Sequence, residues 1–250
     1  MVHRVVTLTK KAESESKALS IHYLAGDFLS LLATEGLGKG NTIHDLEEKV
    51  IRGYSSGTPC PRDSLPGSAF VDTVSGEDNV GHATHMLSYT WKYTVGDIVD
   101  SLTHWCMTEL LDMKRVYLWM CWACVNQHRV QEMRLKGEVV PFEEFKEVFE
   151  GRVKSIGRII ALMMPWYAPA YLERSWCMSE LDTAIQLGKD CELTILMPPK
   201  EEEQWTLSLM HGDGFDQIYK TLREASISSA RASVQADEEN ILRLVDSGQG

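Results

Sequence analysis

The sequence predicts an α/β domain built on a doubly wound parallel sheet, with helical N- and C-terminal extensions. The alternation of short apolar runs with amphipathic segments between residues 81 and 200 is the main observation. Such alternation gives parallel strands joined by right-handed crossovers. The length of 250 residues and the hydrophobic share of 44% are the second observation, because they suffice for one sizeable core.

Residues 1 to 80 are interpreted as a helical and loop-rich N-terminal extension. An amphipathic pattern over residues 13 to 35 predicts a helix, and Thr42 to Arg52 predicts a second, shorter one. Turn-forming residues follow in quick succession from Ser55 to Asn79. This part offers too little apolar periodicity for a core of its own.

The α/β domain is predicted over residues 81 to 200, and its first half begins with a β-prone run from Ala83 to Trp91. A helix is expected to start near Thr94. The segment Arg115 to Cys124 is continuously apolar, which predicts a strand buried on both faces. Phe142 to Gly157 then predicts an acidic amphipathic helix.

The second half of the domain continues with a strand over residues 158 to 164 and a helix over residues 175 to 187. Ser175 is expected to cap this helix and Gly188 to end it. A further strand covers 192 to 197 and stops at two prolines. Residues 201 to 250 are interpreted as a C-terminal helical extension that packs on the domain, with helix predicted from residue 214 to 246.

Composition excludes several classes of protein. The formal charge of -11 argues against a nucleic-acid surface, because phosphate binding needs clustered Lys and Arg. No run of 18 apolar residues occurs, as a membrane span would need, and the N-terminus lacks the apolar segment of a signal peptide. The six cysteines, four of them inside apolar runs, are typical of reduced thiols. We therefore expect a cytoplasmic protein without nucleic-acid or membrane partners.

Glu180 is the candidate catalytic residue. In the helix over residues 175 to 187, the apolar positions at spacings of three and four form one face, and Glu180 lies on the flank beside it with Trp176. A carboxylate just past the end of a strand is where an open α/β sheet places its ligand chemistry. The alternative is an ordinary solvated acid on a helix surface.

Three segments together resemble the TIR domains and the fungal heterokaryon-incompatibility (HET) domains. His85-Met-Leu-Ser-Tyr-Thr-Trp91 is similar to the first strand of both families. Leu118 to Gln127 is similar to the incompatibility-domain strand that ends in Cys-Ile-Asn-Gln, although that strand usually carries Asp where this chain has Cys121. Tyr171 to Ala184 is similar to the last motif of both families. The resemblance covers about residues 83 to 200.

This resemblance implies a flavodoxin-like sheet and, for many TIR domains, hydrolysis of NAD between nicotinamide and ribose. It implies that Glu180 is the catalytic glutamate and that the segment of Thr90, Trp91, Lys92 and Tyr93 borders the nucleotide. One carboxylate is enough for this chemistry, since the ribosyl group becomes cationic and nicotinamide leaves without a proton. An indole such as Trp91 or Trp176 could stack on a ring of the substrate, and Lys92 could meet the pyrophosphate.

Several alternatives remain open at this point. Trp91 and Trp176 could be partly core, and Asn126 could either reach the ligand or cap the following helix. The resemblance implies no cofactor or metal, NAD as substrate, assembly-dependent activity and self-association in a signalling or defence role such as innate immunity or cell death. The same families include members that only assemble, so a non-catalytic signalling module is one rival. A hydrolase or transferase that acts on another N-glycoside is the second.

Other chemistries are weakly supported. Cys121-Trp-Ala-Cys124 suggests a thioredoxin-like redox pair, but in a continuous strand residues three apart point to opposite faces and the thiols would not meet. The same geometry argues against a zinc site with His82 and His85. The glycine cluster Gly36-Leu-Gly-Lys-Gly40 follows a predicted helix and is interpreted as a linker. Walker-type loops and nucleophile elbows are absent from the sequence.

Overall fold

The computed structural model describes residues 2–138, 142–212, 214–224 and 239. The chain divides into two compact units. The first contains Met1–Met86 and Trp91–Val139, and the second contains Leu87–Thr90 and Val140–Gly250. No helix among the described residues combines the length and the apolar character that crossing a membrane requires.

The first unit mixes helices with three complete strands and the start of a fourth. Its elements in chain order are α1 (Val2–Ser16), β1 (Lys17–Ser20), α2 (Ile21–Tyr23), a π-helical turn (Leu24–Phe28), α3 (Leu29–Thr34), α4 (Ile43–Leu46), a second π-helical turn (Glu47–Arg52), α5 (Gly53–Ser55), a 3-10 turn (Phe70–Thr73), β2 (Val80–His82), β3 (His85–Ser88), α6 (Val95–Thr108), β4 (Tyr117–Trp119), α7 (Cys121–Cys124) and α8 (Gln127–Leu135).

The strands of the first unit are hydrogen-bonded in the order β2-β1-β4-β3. β1 runs antiparallel to both of its neighbours, with Ala18 opposite Gly81 and Leu19 opposite Leu118. β3 runs parallel to β4, with Met86 opposite Trp119. The prediction of an all-parallel sheet is therefore wrong for this unit, because an N-terminal strand that the sequence analysis did not identify joins the sheet in the opposite direction.

Two elements of the first unit differ from the predictions. The predicted helix over residues 13 to 35 is interrupted by β1, although its remaining part is helical from Ile21 to Thr34. The predicted strand from Arg115 to Cys124 ends at Trp119 and is followed by the helical turn α7. The predicted helices at Thr42 to Arg52 and after Thr94 are confirmed.

The core of the first unit centres on three aromatic rings. Trp122 is 1% exposed and stacks on Phe28, with ring centroids 5.1 Å apart. Phe70 completes the group at 5.3 Å from Trp122 and 6.0 Å from Phe28. Tilted and offset contacts at these distances are the arrangement that aromatic pairs prefer. Burial of Trp122 therefore fixes the turn that carries Cys121 and Cys124.

The second unit alternates strands and helices. Its elements after the end of β3 are α9 (Phe142–Ile156), β5 (Arg158–Leu162), a 3-10 turn (Ala170–Glu173), α10 (Ser175–Leu187), a second 3-10 turn (Gly188–Asp190), β6 (Glu192–Leu196), α11 (Pro199–His211) and α12 (Gly214–Glu224). The predictions for α9, β5, α10 and β6 are confirmed, and the part of the predicted helix 214 to 246 beyond residue 224 lies outside the described residues except for position 239.

The strands of the second unit have the order β3-β5-β6, and β5 is parallel to β6 over its whole length. A small apolar core forms around Ala161 of β5, Tyr171 of the first 3-10 turn and Cys177 of α10. Four partly buried side chains pack against it: Met163, Leu172, Leu181 and Leu193. An α/β fold with a mixed six-stranded arrangement is thus shown by the described residues.

Candidate active site

Glu180 lies in α10 and is buried within the second unit, with 7% of the residue exposed. The sequence predicted a position between core and cleft, so the observed burial is deeper than expected. α10 buries Cys177, Glu180 and Ala184 on one side, which is the spacing of three and four that one helical face requires. The helix ends at Gly188, whose φ of +54° suits glycine, as predicted.

The predicted cap of α10 is wrong. Arg174 occupies the position before the helix with extended backbone angles, and Ser175 is already its first helical residue. The Ser175 hydroxyl is buried, and it has no hydrogen-bond partner among the described residues.

Four oxygen atoms of the second unit form a chain of contacts that we call the Glu180 network. Ser88, the last residue of β3, hydrogen-bonds the Oε2 atom of Glu180. The Ser88 Oγ atom also lies 2.8 Å from the Tyr171 hydroxyl, which in turn lies 2.9 Å from the Cys177 carbonyl oxygen. Ser88 and Tyr171 are 1% and 0% exposed, so these contacts are shielded from water.

Counting protons assigns the charge of this network. Three hydrogen bonds in series need three protons; Ser88 and Tyr171 supply one each, and the carbonyl of Cys177 supplies none. With an ionised Glu180, Ser88 donates to the carboxylate, and the single hydroxyl proton of Tyr171 serves either Ser88 or the Cys177 carbonyl, so one of these two contacts lacks a proton. With a neutral Glu180, the carboxyl donates to Ser88, Ser88 to Tyr171 and Tyr171 to Cys177, and every contact is satisfied.

Electrostatics leads to the same protonation state. Burial raises the pKa of Glu180 from 4.5 to about 8, and the hydrogen bond from Ser88 opposes this rise only in part. Among the described residues, no Lys, Arg or His forms an ion pair with Glu180. The Glu180 carboxyl is therefore mostly protonated at pH 7.

The other candidate residues of the second unit lie in different environments. Thr90 is buried, with 3% of the residue exposed. It is the last residue of the segment Leu87–Thr90, which belongs to the second unit. Trp176 is half-buried, and its ring stacks on Phe149 of α9 with centroids 5.7 Å apart. This contact with α9 is of the kind that the core alternative expects, although both rings stay partly exposed.

Trp91, Lys92, Tyr93 and Asn126 belong to the first unit. The Trp91 ring lies 5.3 Å from that of His44, and its Nε1–H donates to the Cys121 sulfur at 3.2 Å. Lys92 is exposed and Tyr93 is buried.

Asn126 acts as a helix cap. Its Oδ1 atom accepts the His128 N–H at 3.0 Å, and its Nδ2 atom donates to the Gly67 carbonyl at 2.9 Å. Because both ends of the amide are engaged in a side chain only 7% exposed, the capping alternative describes the observed geometry.

Sequence reasoning missed the roles of Ser88 and Tyr171. Both lie in segments that resemble TIR and HET domains, but the sequence pattern assigned neither of them to the site around Glu180. The available signal was a polar residue, Ser88, at the end of an apolar strand, which is the position where α/β sheets present side chains to a site.

Comparison of this chain with protein-family models, with curated proteins and with solved structures finds no match.

Proposed function

We propose that this protein hydrolyses the nicotinamide–ribose bond of NAD or a related nucleotide, with Glu180 as the essential carboxylate, and that the activity depends on self-association. The observation that supports the proposal best is a buried carboxyl group that is hydrogen-bonded to Ser88 at the end of β3, where the Ser88 hydroxyl in turn contacts the Tyr171 hydroxyl. Burying an acid in this way is costly in free energy, and such groups concentrate at functional sites. The three segments that resemble TIR and HET domains support the same assignment.

The chemistry follows from the charge of the substrate. The nicotinamide ring of NAD is cationic, and a positive charge within about 4–6 Å lowers the pKa of a carboxylic acid. Binding of NAD would thus ionise Glu180. As the glycosidic bond breaks, positive charge moves onto the ribose, and the carboxylate stabilises it in a site of low dielectric constant. Water then completes the hydrolysis, and nicotinamide leaves as a neutral molecule.

The test is nicotinamide release by purified protein at high concentration, because self-association is part of the proposal. Wild type is compared with Glu180→Gln, which keeps the shape of the side chain but cannot carry negative charge, and with Glu180→Ala. The matched control is Asp182→Asn, two residues along α10, where the half-exposed carboxylate accepts a hydrogen bond from Gln186 at 2.8 Å. We expect both Glu180 variants to lose at least about 100-fold in activity and the control to retain it.

The dependence on pH provides a second readout. Because kcat/KM reports ionisation in the free enzyme, it should rise as pH approaches and passes about 8, the pKa of Glu180. Absence of nicotinamide release from concentrated wild type, or equal activity in wild type and Glu180→Gln, would refute the proposal.

A second candidate is favoured by the burial of Glu180, which raises the pKa of the carboxyl and keeps it mostly protonated at pH 7. A protonated carboxyl can act as general acid toward a leaving group that needs a proton, such as the purine of a nucleoside. Hydrolysis of this kind would slow as pH rises through about 8. Nucleosides assayed beside NAD therefore separate the two candidates, both by substrate and by the direction of the pH profile.

A further inference from the structure

The pair Cys121 and Cys124 occupies one helical turn directly after a strand. β4 ends at Trp119, Met120 has extended backbone angles, and the chain then turns into α7. The Cys124 N–H donates to the Met120 carbonyl at 2.8 Å and the Val125 N–H to the Cys121 carbonyl at 3.0 Å. The strand geometry that would have separated the two thiols is therefore absent.

A helical turn brings the two cysteines within bonding range. Helix rise and radius place the Cα atoms of residues three apart at about 5 Å. Disulfides form across Cα separations of roughly 4.4–6.8 Å. All six cysteines of the chain are thiols in the structure, so the pair is described in its reduced form.

The two thiols have different surroundings. Cys121 is half-buried, and its sulfur accepts the Trp91 Nε1–H at 3.2 Å. Cys124 is 2% exposed; its sulfur donates to the Lys17 carbonyl and accepts the Met120 N–H, each at 3.5 Å. An N–H donor stabilises a thiolate more than a thiol, whereas a carbonyl acceptor holds the proton on sulfur. Both sulfurs accept an N–H, but the contact at Cys121 is shorter and Cys121 is more exposed, which favours Cys121 as the nucleophile and the buried Cys124 as the resolving thiol.

We propose that Cys121 and Cys124 form a redox-active dithiol that exchanges with disulfide-bonded substrates. The Cys121 thiolate attacks one sulfur of a disulfide RSSR, forms a mixed disulfide and expels RS⁻, which takes up a proton. Cys124 then gives its proton to solvent and attacks the Cys121 sulfur, which closes the intramolecular disulfide and expels the second RS⁻, again protonated. The protein loses two electrons and two protons, and RSSR becomes two RSH.

The remaining cysteines provide internal controls. Burial raises the pKa of Cys106 to about 11 and also raises the pKa of Cys191. The Cys177 sulfur donates to the Tyr89 carbonyl at 3.5 Å. Cys106 and Cys191 therefore keep their protons at neutral pH, and only thiolates exchange at an appreciable rate.

The experiment equilibrates the full chain with glutathione and glutathione disulfide at a series of ratios, then quenches with acid and alkylates. Trypsin cleaves after Arg115 and Arg129, so the peptide 116–129 contains Cys121 and Cys124 and no other cysteine. As the oxidised share rises, we expect the form of this peptide with two alkylated thiols to be replaced by an unalkylated form that is two hydrogen atoms lighter than the free dithiol, and to return with excess glutathione.

Variants test the roles of the two thiols. Cys124→Ser should accumulate glutathione on residue 121, and Cys121→Ser should prevent exchange in this peptide. Trp91→Phe should slow alkylation of Cys121 several-fold. In wild type, Cys121 should be alkylated at least roughly ten times faster than Cys106. Because Cys124 is buried, circular dichroism checks the fold of its variant.

Two outcomes of the wild-type titration alone would overturn the proposal. One is a peptide 116–129 that stays a dithiol at every ratio. The other is a mixed disulfide with glutathione that never resolves into the intramolecular bond. Neither outcome depends on NAD hydrolysis, so this test and that of the proposed function fail independently.

Discussion

At the scale of single residues, Glu180 differs from the other acids of the chain in its surroundings. Most acids described here are exposed or paired, as in the contact of 2.8 Å between Arg129 and Asp63, which lowers the pKa of Asp63 to about 2. Glu180 is buried and hydrogen-bonded to the Ser88 hydroxyl, and burial raises its pKa. The direction of the shift, and therefore the charge at neutral pH, follows from what each carboxyl contacts.

The raised pKa of Glu180 predicts how stability depends on pH. Below 4.5 the carboxyl is protonated in both the folded and the unfolded chain. Between 4.5 and about 8 only the folded chain retains the proton, so the free energy of unfolding falls as pH rises, by up to about 1.4 kcal/mol per pH unit. Above about 8 both states are ionised and the stabilisation from the neutral form has been lost.

Glu180→Gln checks this pH dependence. The amide donates to Ser88 as the neutral acid does and does not titrate, so the variant should match wild type below about pH 4.5, become more stable than wild type as pH rises, and show its largest advantage above about pH 8. Denaturant unfolding at several pH values gives the comparison. Curves for the two proteins that run parallel across the whole range would contradict a neutral Glu180.

Gly67 is a second residue whose chemistry is dictated locally. Its φ is +82°, and a Cβ atom built on it would lie 2.7 Å from the Cγ atom of His128. We expect Gly67→Ala to lower the free energy of unfolding by roughly 1–3 kcal/mol, because strain and a clash act together. Gly57→Ala is the matched control, since nothing lies within 4 Å of its Cβ position; equal effects in the two variants would contradict this reading.

At the scale of secondary-structure elements, α6 begins with a reciprocal cap. The Thr94 hydroxyl accepts the Asp97 N–H at 3.1 Å, and the Asp97 carboxylate accepts the Thr94 N–H at 3.1 Å. Thr94→Ala should therefore cost about 1 kcal/mol of stability. Thermal unfolding measures this loss. The control is Thr108→Ala, since Thr108 is an exposed threonine at the other end of the helix. A loss of stability of the same size in both variants would argue against capping.

The helices and strands of the second unit could be predicted because the periodicity of the apolar residues agrees there with the residues that begin and end each element. α10 has an amphipathic pattern and a terminal glycine, and β5 and β6 are short apolar runs of the length that buried strands have. The network around Glu180 could not be predicted in this way, since Ser88 and Tyr171 precede Glu180 by 92 and 9 positions and only tertiary structure brings their oxygens together.

The wrong predictions for the first unit have physical causes. The segment Lys17–Ser20 contains Ala and Leu, which favour helices, but pairing with β2 and β4 supplies backbone hydrogen bonds that outweigh this propensity. The run from Arg115 to Cys124 is apolar throughout, and periodicity cannot distinguish a buried strand from a buried helical turn in such a run. Packing of Trp122 against Phe28 and Phe70 favours the helical turn over a longer strand.

At the scale of the whole molecule, charge governs the self-association that the proposed function includes. Copies of a chain with net charge -11 repel one another, and salt screens that repulsion. We therefore expect association to strengthen as ionic strength rises, as measured by sedimentation velocity. Glu180→Gln, which replaces a neutral side chain at pH 7, should associate equally; weakening with salt would instead indicate contacts between opposite charges.

The four residues Leu87–Thr90 give the chain an interleaved plan, because they belong to the second unit while the sequence on either side of them belongs to the first. No single cut in the gene can therefore separate the two units. A fragment that stops at residue 139 would encode Ser88 but neither of its partners, Tyr171 and Glu180. Any dissection of this protein into parts must transplant that short segment along with the second unit, or the fragment will lack the oxygen that holds Glu180.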